Sequence, residues 1–358
     1  MSWITVLVLI FSILGIVDYL LGNKFGLGKE FERGFSLFSS LVFSSLGILV
    51  LAPAVGVWLT PVLEKFYAVF HIDPSIIPAS LFANDMGAAT ISQKVFHWEN
   101  IGKFNGYVVS TMMGCMVSYT IPVSVGVVKK EQHKDLFFGF LCGLVTIPVG
   151  CFVAGLLCGI SLGALLLDLL PLLILSGIIA LGLVLVPNLC IRIFSVFGKL
   201  IRCISLVGLT CAIFTFLTKR QISPHFDTLE NAAFICLNGC VTLSGMLPLM
   251  YLITKLLNKP LEKLSPKIGM NSTSVVSLLT SLVSSTPVFG VMDKMNRKGV
   301  VLNSAFAVSA AFVFGAHLAF TVAFDSTYLT PMIVGKLISG ICGITLAAIL
   351  FKDKDGVQ

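Results

Sequence analysis

Between Asp73 and Lys94 one ionisable residue, Asp85, stands alone in an uncharged and largely apolar run. A carboxylate at bilayer depth costs roughly 2.5–3.5 kcal/mol on insertion scales, so such a group faces a cavity or a partner. Gly87 follows it and Pro74 and Pro78 precede it, which weakens any continuous helix here. A buried acid at a helix break suits the binding of a small cation. The competing reading is that Asn84 or Asp85 caps a half-helix by accepting bonds from backbone N–H groups, although a cap at membrane depth would itself mark a discontinuous helix.

Ser284, Ser285 and Thr286 stand ahead of Pro287 in a second uncharged and interrupted stretch. Their hydroxyls can both donate and accept, as an amine or alcohol ligand requires; ordinary helix–helix hydrogen bonding would use them equally well. His317 is the one ionisable group between Lys298 and Asp325. Relaying a proton and orienting a ligand are open to it, as is a structural role as a neutral, satisfied imidazole. Tyr119 and Thr120 hold the corresponding place after the Asp85 stretch. Phe82, Phe289 or Tyr119 could add a cation–π face worth about 0.5–2 kcal/mol.

Enzyme chemistry has little to stand on. The chain holds no Walker-type P-loop, no serine nucleophile elbow and no HExxH, so no cofactor or catalytic metal is expected. Its ten cysteines include no CxxC pair and lie mostly inside apolar runs, as small packing residues do. The net charge of +7 comes without a dense basic cluster interleaved with aromatics, which argues against a nucleic-acid partner.

The elements that must position these residues are membrane helices. Hydrophobic residues make up 56% of the chain and charged ones 11%, with a mean hydropathy of +0.99; soluble domains carry about 25% charged residues. The chain is therefore an all-α polytopic membrane protein in a single domain, and the N-terminal run, lacking a basic n-region, is a retained span. Apolar runs predict nine full spans at about 2–21, 35–59, 104–127, 136–159, 161–186, 203–218, 232–254, 299–324 and 331–351. Two short interfacial helices are expected at 61–72, after Pro61, and at 190–202, where Arg192, Lys199 and Arg202 share a face. Lysines and arginines concentrate at 22–33, 129–134, 192–202, 255–267, 294–298 and the C-terminal tail. The positive-inside rule then puts the N-terminus outside and the C-terminus in the cytoplasm. The runs 74–93 and 268–292, the latter with nine Ser and Thr residues, each begin and end on one side. They are expected as re-entrant hairpins entering from opposite faces, within an inverted repeat of halves 1–159 and 187–358 linked by span 161–186. The substrate site falls where their tips meet. Gly139-x-x-x-Gly143 and Gly155-x-x-x-Gly159-x-x-x-Gly163 serve internal packing or a homo-oligomer.

Four stretches carry a resemblance: Asn84-Asp85-Met86-Gly87, Leu144-Val145-Thr146-Ile147-Pro148-Val149-Gly150-Cys151, Asn303-Ser304-Ala305-Phe306-Ala307-Val308-Ser309-Ala310-Ala311-Phe312 and Pro331-Met332-Ile333-Val334-Gly335-Lys336-Leu337-Ile338. They resemble the ethanolamine utilisation permease family, EutH, over nearly the whole chain. The resemblance implies a bacterial inner-membrane carrier that brings in ethanolamine for a cobalamin-dependent ammonia-lyase, with Asp85, Met86 and Gly87 matching the family's Asp-Met-Gly. Two departures stand out. Ser284-Ser285 occupies the place of an expected Asn-Asn pair, and Gly315-Ala316-His317 that of Gly-Asp-His. The implied cargo is small and cationic; Asp85 would pair with its ammonium, and Asn84 and the second-hairpin hydroxyls would take the remaining hydrogen bonds. Besides an ethanolamine permease, the residues leave open an ion- or proton-coupled carrier of another small amine and a membrane sensor that binds without transport.

Overall fold

In a computed structural model the chain is described from residue 3 to residue 351; the charged tail after Phe351, and with it the placing of the C-terminus, lies outside those residues. Every regular element among them is helical. Seven helical stretches are long and apolar enough to cross a membrane, and a pair bent by 43° makes an eighth. The chain is an all-α polytopic membrane protein.

Helix α1 (Trp3–Leu20) ends at Gly22 and Asn23, both with positive φ. The Asp18 carboxylate then accepts the Phe25 and Gly28 N–H groups, each at 2.9 Å, and so starts the next helix. That helix runs through α2 (Leu27–Leu41), a π-helical turn at Val42–Leu46 and α3 (Gly47–Phe70). Pro53 and Pro61 lie inside it, so no separate interfacial helix forms at 61–72. A proline forfeits one hydrogen bond, whereas unwinding in lipid would strand several.

The first helical hairpin follows as α4 (Ile76–Leu81), a 3₁₀ turn at Asn84–Met86 and α5 (Ala88–Val95). Asp73 clasps its base: Oδ1 accepts from the Ser75 N–H and hydroxyl, and Oδ2 from the His97 and Trp98 N–H groups, both at 3.0 Å. A bent span comes next, in α6 (Glu99–Tyr107), a 3₁₀ turn at Val109–Thr111, α7 (Met113–Cys115), a second π turn at Met116–Thr120 and α8 (Ile121–Val127).

Helix α9 (His133–Leu157) returns, and α10 (Leu162–Asp168) with α11 (Leu170–Leu185) forms the connecting span. Gly139 and Gly143 let α9 meet the backbone near Val301 and Ala305, and Gly155 meets Leu165. The glycine rows of α9 thus serve internal contacts, while Gly159 and Gly163 face open space.

Helix α12 (Pro187–Thr218) is continuous, so residues 190–202 form its first half and not an interfacial helix. At 1.5 Å per residue its 32 residues reach about 48 Å, well beyond the ~30 Å hydrocarbon core. The same length argument applies to α13 (Leu229–Ile268), whose 40 residues carry Lys255 to Lys267 on helix and not on a loop. The second helical hairpin is α14 (Ser272–Val283) and α15 (Thr286–Gly290). Asn271 clasps its base by donating to the Lys294 carbonyl at 2.6 Å. A broken span, α16 (Arg297–Ala310) and α17 (Ala316–Asp325), and then α18 (Leu329–Leu350) complete the chain.

The two hairpin bases lie at opposite faces. Helix α16 starts at the second base, and the α17 end reaches the first, where Asp325 Oδ2 stands 3.7 Å from Lys103 Nζ and the Tyr328 hydroxyl donates to Asn100 Oδ1 at 2.7 Å. Conversely, α6 starts at the first base, and the loop after α8 reaches the second through Lys129–Asp293 at 3.0 Å and Gln132 to the Met292 carbonyl at 2.7 Å. Leu173, Ile174, Ile178 and Leu181 of α11, with Ile193, Val196 and Leu200 of α12, are exposed and form part of the lipid-facing belt.

Candidate substrate site between the hairpin tips

At the first tip α4 stops because Phe82 and Ala83 turn extended. The Ala83 N–H donates to Ser118 Oγ at 3.2 Å. Gly114 allows the close approach: a Cβ there would stand 1.9 Å from the Phe82 carbonyl oxygen. Asn84 is fully buried. Its Oδ1 accepts the Asp85 N–H at 2.8 Å, and its Nδ2 donates to the His317 carbonyl and to Thr321 Oγ1, both at 3.3 Å. Asn84 is thus a brace between the tip and α17. Asp85 itself keeps Oδ1 buried without a hydrogen-bond partner. Gly87, at φ 92°, turns the chain back into α5.

The second tip is built in the same way against the opposite broken span. Ser284 is extended, and the Phe312 and Phe314 N–H groups donate to the Ser281 and Leu282 carbonyls at 3.0 and 2.8 Å. Gly315 lies where a Cβ would stand 2.0 Å from the Val283 carbonyl. Phe312 holds a φ of +63°, a left-handed backbone that a bulky residue rarely adopts without a functional constraint.

The tips enclose a cavity of about 260 Å³, below the roughly 300–1,000 Å³ of drug-sized ligand sites. Of the residues anticipated from sequence, Asp85, Met86, Tyr119, Ser284, Thr286 and His317 line it. Asn84 and Ser285 do not: both are fully buried behind it, and Ser285 Oγ has no partner. Phe82 and Phe289 also point elsewhere, packing against Phe197 and Phe140. The aromatic wall comes from the anticipated Tyr119 and from Phe312, whose ring lies 5.5 Å from Tyr119 and 5.3 Å from His317. Tyr119 and Thr286 share a 2.7 Å hydroxyl–hydroxyl bond that joins the first broken span to the second hairpin. Arg33, largely exposed, marks the mouth, and Ala316 adds a methyl group to the lining.

Behind His317 lies a residue that sequence reasoning passed over. Lys336 is 1% exposed, and its Nζ donates to the Thr111 carbonyl at 2.6 Å and meets His317 Nδ1 at 3.0 Å. With lysine as the donor, Nδ1 is the acceptor and the imidazole proton sits on Nε2, an assignment made from the hydrogen-bond pattern. Thr111 belongs to the break in the first bent span and His317 follows the break in the second, so one ammonium ties both. The signal for it was a lone lysine inside the final span. The two π turns were equally silent in sequence, yet both border the cavity: Ser44 and Tyr119 come from them, as such bulges often do at functional sites.

The chain matches the family model described as "Ethanolamine utilisation protein, EutH" over residues 2–350. It is 37% identical over 340 residues to a protein of Listeria monocytogenes serotype 1/2a named "Probable ethanolamine permease EutH", covering 95% of this chain and 91% of that one. A protein of the same name from Salmonella typhimurium is 31% identical over 358 residues, with 93% and 88% covered. An uncharacterised Bacillus subtilis protein, YxeR, is 34% identical over 338 residues, with 94% and 91% covered. No solved structure matches the chain.

Proposed function

The chain belongs to the EutH family of ethanolamine utilisation proteins, and from that premise we propose that it carries protonated ethanolamine across the bacterial inner membrane by alternating access. The observation that carries this reading is the orphaned Asp85 Oδ1 at a cavity between two hairpin tips. An ammonium donates to that carboxylate, and the charge-assisted bond fills the one vacancy the fold leaves there. The hydroxyls of Ser284, Thr286 and Tyr119 accept the remaining N–H bonds or bond the substrate hydroxyl, and the Phe312 ring offers an aromatic face. Lys336 acts behind the site, bonding to His317 in the cavity wall and to the Thr111 carbonyl and so holding the two broken spans in register.

The halves 1–159 and 187–358 form the inverted repeat of this carrier, each with two spans, a hairpin, a broken span and a final span, nine full spans in all with the connecting one. The face with the Lys- and Arg-rich segments is cytoplasmic and the N-terminus is outside. The cavity then opens inward past Arg33, and the Asn84 brace to α17 seals the outward route.

A second reading has its own observation. Ala316 lines the cavity where the family pattern leads one to expect an aspartate, so the site presents one carboxylate and not two. That favours a carrier of a different small amine. Uptake of labelled ethanolamine into proteoliposomes, with unlabelled amines as competitors, separates the two. Ethanolamine uptake by the unmodified protein supports the first reading. Uptake that appears only in Ala316→Asp, or competition by another amine alone, supports the second.

A further inference from the structure

A second pocket opens at the base of the first hairpin, on the face opposite the mouth at Arg33. It encloses about 290 Å³, and its walls include His71, Trp98, Ile101, Ile160 and Ala164. Asp168, at the end of α10, is its buried end, with 2% exposure. None of the described residues lining it is a lysine or an arginine.

The hydrogen bonds around Asp168 leave a specific deficit. Asp168 Oδ1 accepts from Asn105 Nδ2 at 3.1 Å, and the same amide nitrogen donates to Ser75 Oγ at 2.9 Å. Asp168 Oδ2 and Asn105 Oδ1 are both buried with no partner. The nearby Asp73 cannot help, because it is an acceptor already engaged by Ser75, His97 and Trp98. An orphaned carboxylate oxygen in the pocket lining, a second orphaned acceptor beside it and no lysine or arginine among the described lining residues call for a ligand that brings N–H groups and positive charge. A bare metal cation gathers about six oxygens, more than this cluster offers. A primary ammonium needs two or three, with apolar wall for its carbons, and Ile101 and Ile160 supply that wall.

We propose that this pocket is a second binding site, for a small primary ammonium held on Asp168, separate from the cavity at Asp85. The identity of its ligand rests on the amine-carrier reading above; its existence rests on the Asp168 cluster alone. Asn105 and Ser75 link it to Asp73, so an occupant sits within three hydrogen bonds of the clasp that closes the first hairpin. Cargo loaded there waits on the side to which the central cavity is closed.

Trp98 lines the pocket, and only Trp3 and Trp58 must be replaced by Phe to make it the sole tryptophan. The experiment titrates that full-length protein in lipid nanodiscs with ethanolammonium chloride and ethylammonium chloride, against sodium chloride at equal ionic strength. We expect a saturable change in Trp98 fluorescence with both amines that persists in Asp85→Asn. Asp168→Asn weakens it by roughly 10- to 100-fold, and Ala164→Phe, which fills the pocket and leaves the acid in place, abolishes it. No saturable change, a change untouched by Ala164→Phe, or loss of the change in Asp85→Asn overturns the proposal. An equal response to sodium chloride overturns it in favour of an inorganic cation site. If Asp168→Asn does not fold, Ala164→Phe decides alone. Proteoliposome uptake run in parallel fails independently, so a wrong carrier reading and a wrong second site give different results.

Discussion

Most acids in this protein are answered from within. Asp135 pairs with Arg297 at 3.0 Å, Asp73 takes up the hairpin base and Asp18 caps the start of α2. Asp85, like Asp168, differs because one oxygen is left bare beside a cavity. Asp85→Asn keeps the shape and removes the charge, so uptake should drop roughly 10- to 150-fold, the worth of a hydrogen bond to a charged group, with insertion unchanged. Near-normal proteoliposome uptake would remove Asp85 from the site. Lys336→Met matches the length and deletes the donor, leaving the Thr111 carbonyl and His317 Nδ1 unanswered. Unsatisfied buried groups cost about 1–3 kcal/mol each. A lowered melting temperature in detergent together with reduced uptake is expected; unchanged stability would contradict its bracing role. Asp85 was legible as a lone acid at a helix break. Lys336 was as solitary in its span, but topology reasoning treats lysines as markers of loops. Asn84 and Ser285 were legible as polar and not as turned away from the cavity, since a broken helix has no periodic face from which to read direction.

At the scale of elements, the hairpins were legible because charge placed both ends of each on one side. Their clasps were not, since Asp73 and Asn271 act through backbone groups more than 20 residues away in sequence. Asp73→Ala should free the His97 and Trp98 N–H groups and loosen the first hairpin. Limited proteolysis near 96–98 would accelerate, and resistance equal to the native protein would argue that packing alone holds the base. Gly315 is a sharper probe, because a methyl there meets the Val283 carbonyl at 2.0 Å and neither backbone can yield cheaply. Gly315→Ala should therefore abolish uptake or folding, whereas Gly163→Ala, in open space, should be silent. Where sequence reading missed, at Pro61 and at 190–202, it took a proline and a row of cations as the marks of separate interfacial helices, whereas both stretches continue long helices. Lipid makes helix continuity worth more than a proline or an intervening cation costs.

For the whole molecule, the question is which face the site addresses. The central cavity shares Ser40, Ser44, Met86 and Tyr119 with a fissure of about 710 Å³ that contains Lys199 and Arg202. With Arg33 at the mouth, the approach from the basic-loop face is lined by cations. Such a field lowers the local concentration of an ammonium on that side. The cavity is reached from that face, while Asn84 binds the first tip to α17 on the other. The polarity can be read with thiol chemistry. All ten native cysteines are free and Cys115 lines the cavity, so Ser284→Cys is placed in a Cys115→Ser background. A membrane-impermeant thiol reagent should label it quickly in vesicles that expose the basic loops and slowly in those of opposite orientation. Saturating ethanolamine should slow labelling by occupying the cavity, and Asp85→Asn should cancel that protection while leaving the bare rate unchanged. Faster labelling from the opposite face would invert the assignment of open and closed sides. Labelling indifferent to ethanolamine in the unmodified Asp85 background would move the substrate out of this cavity.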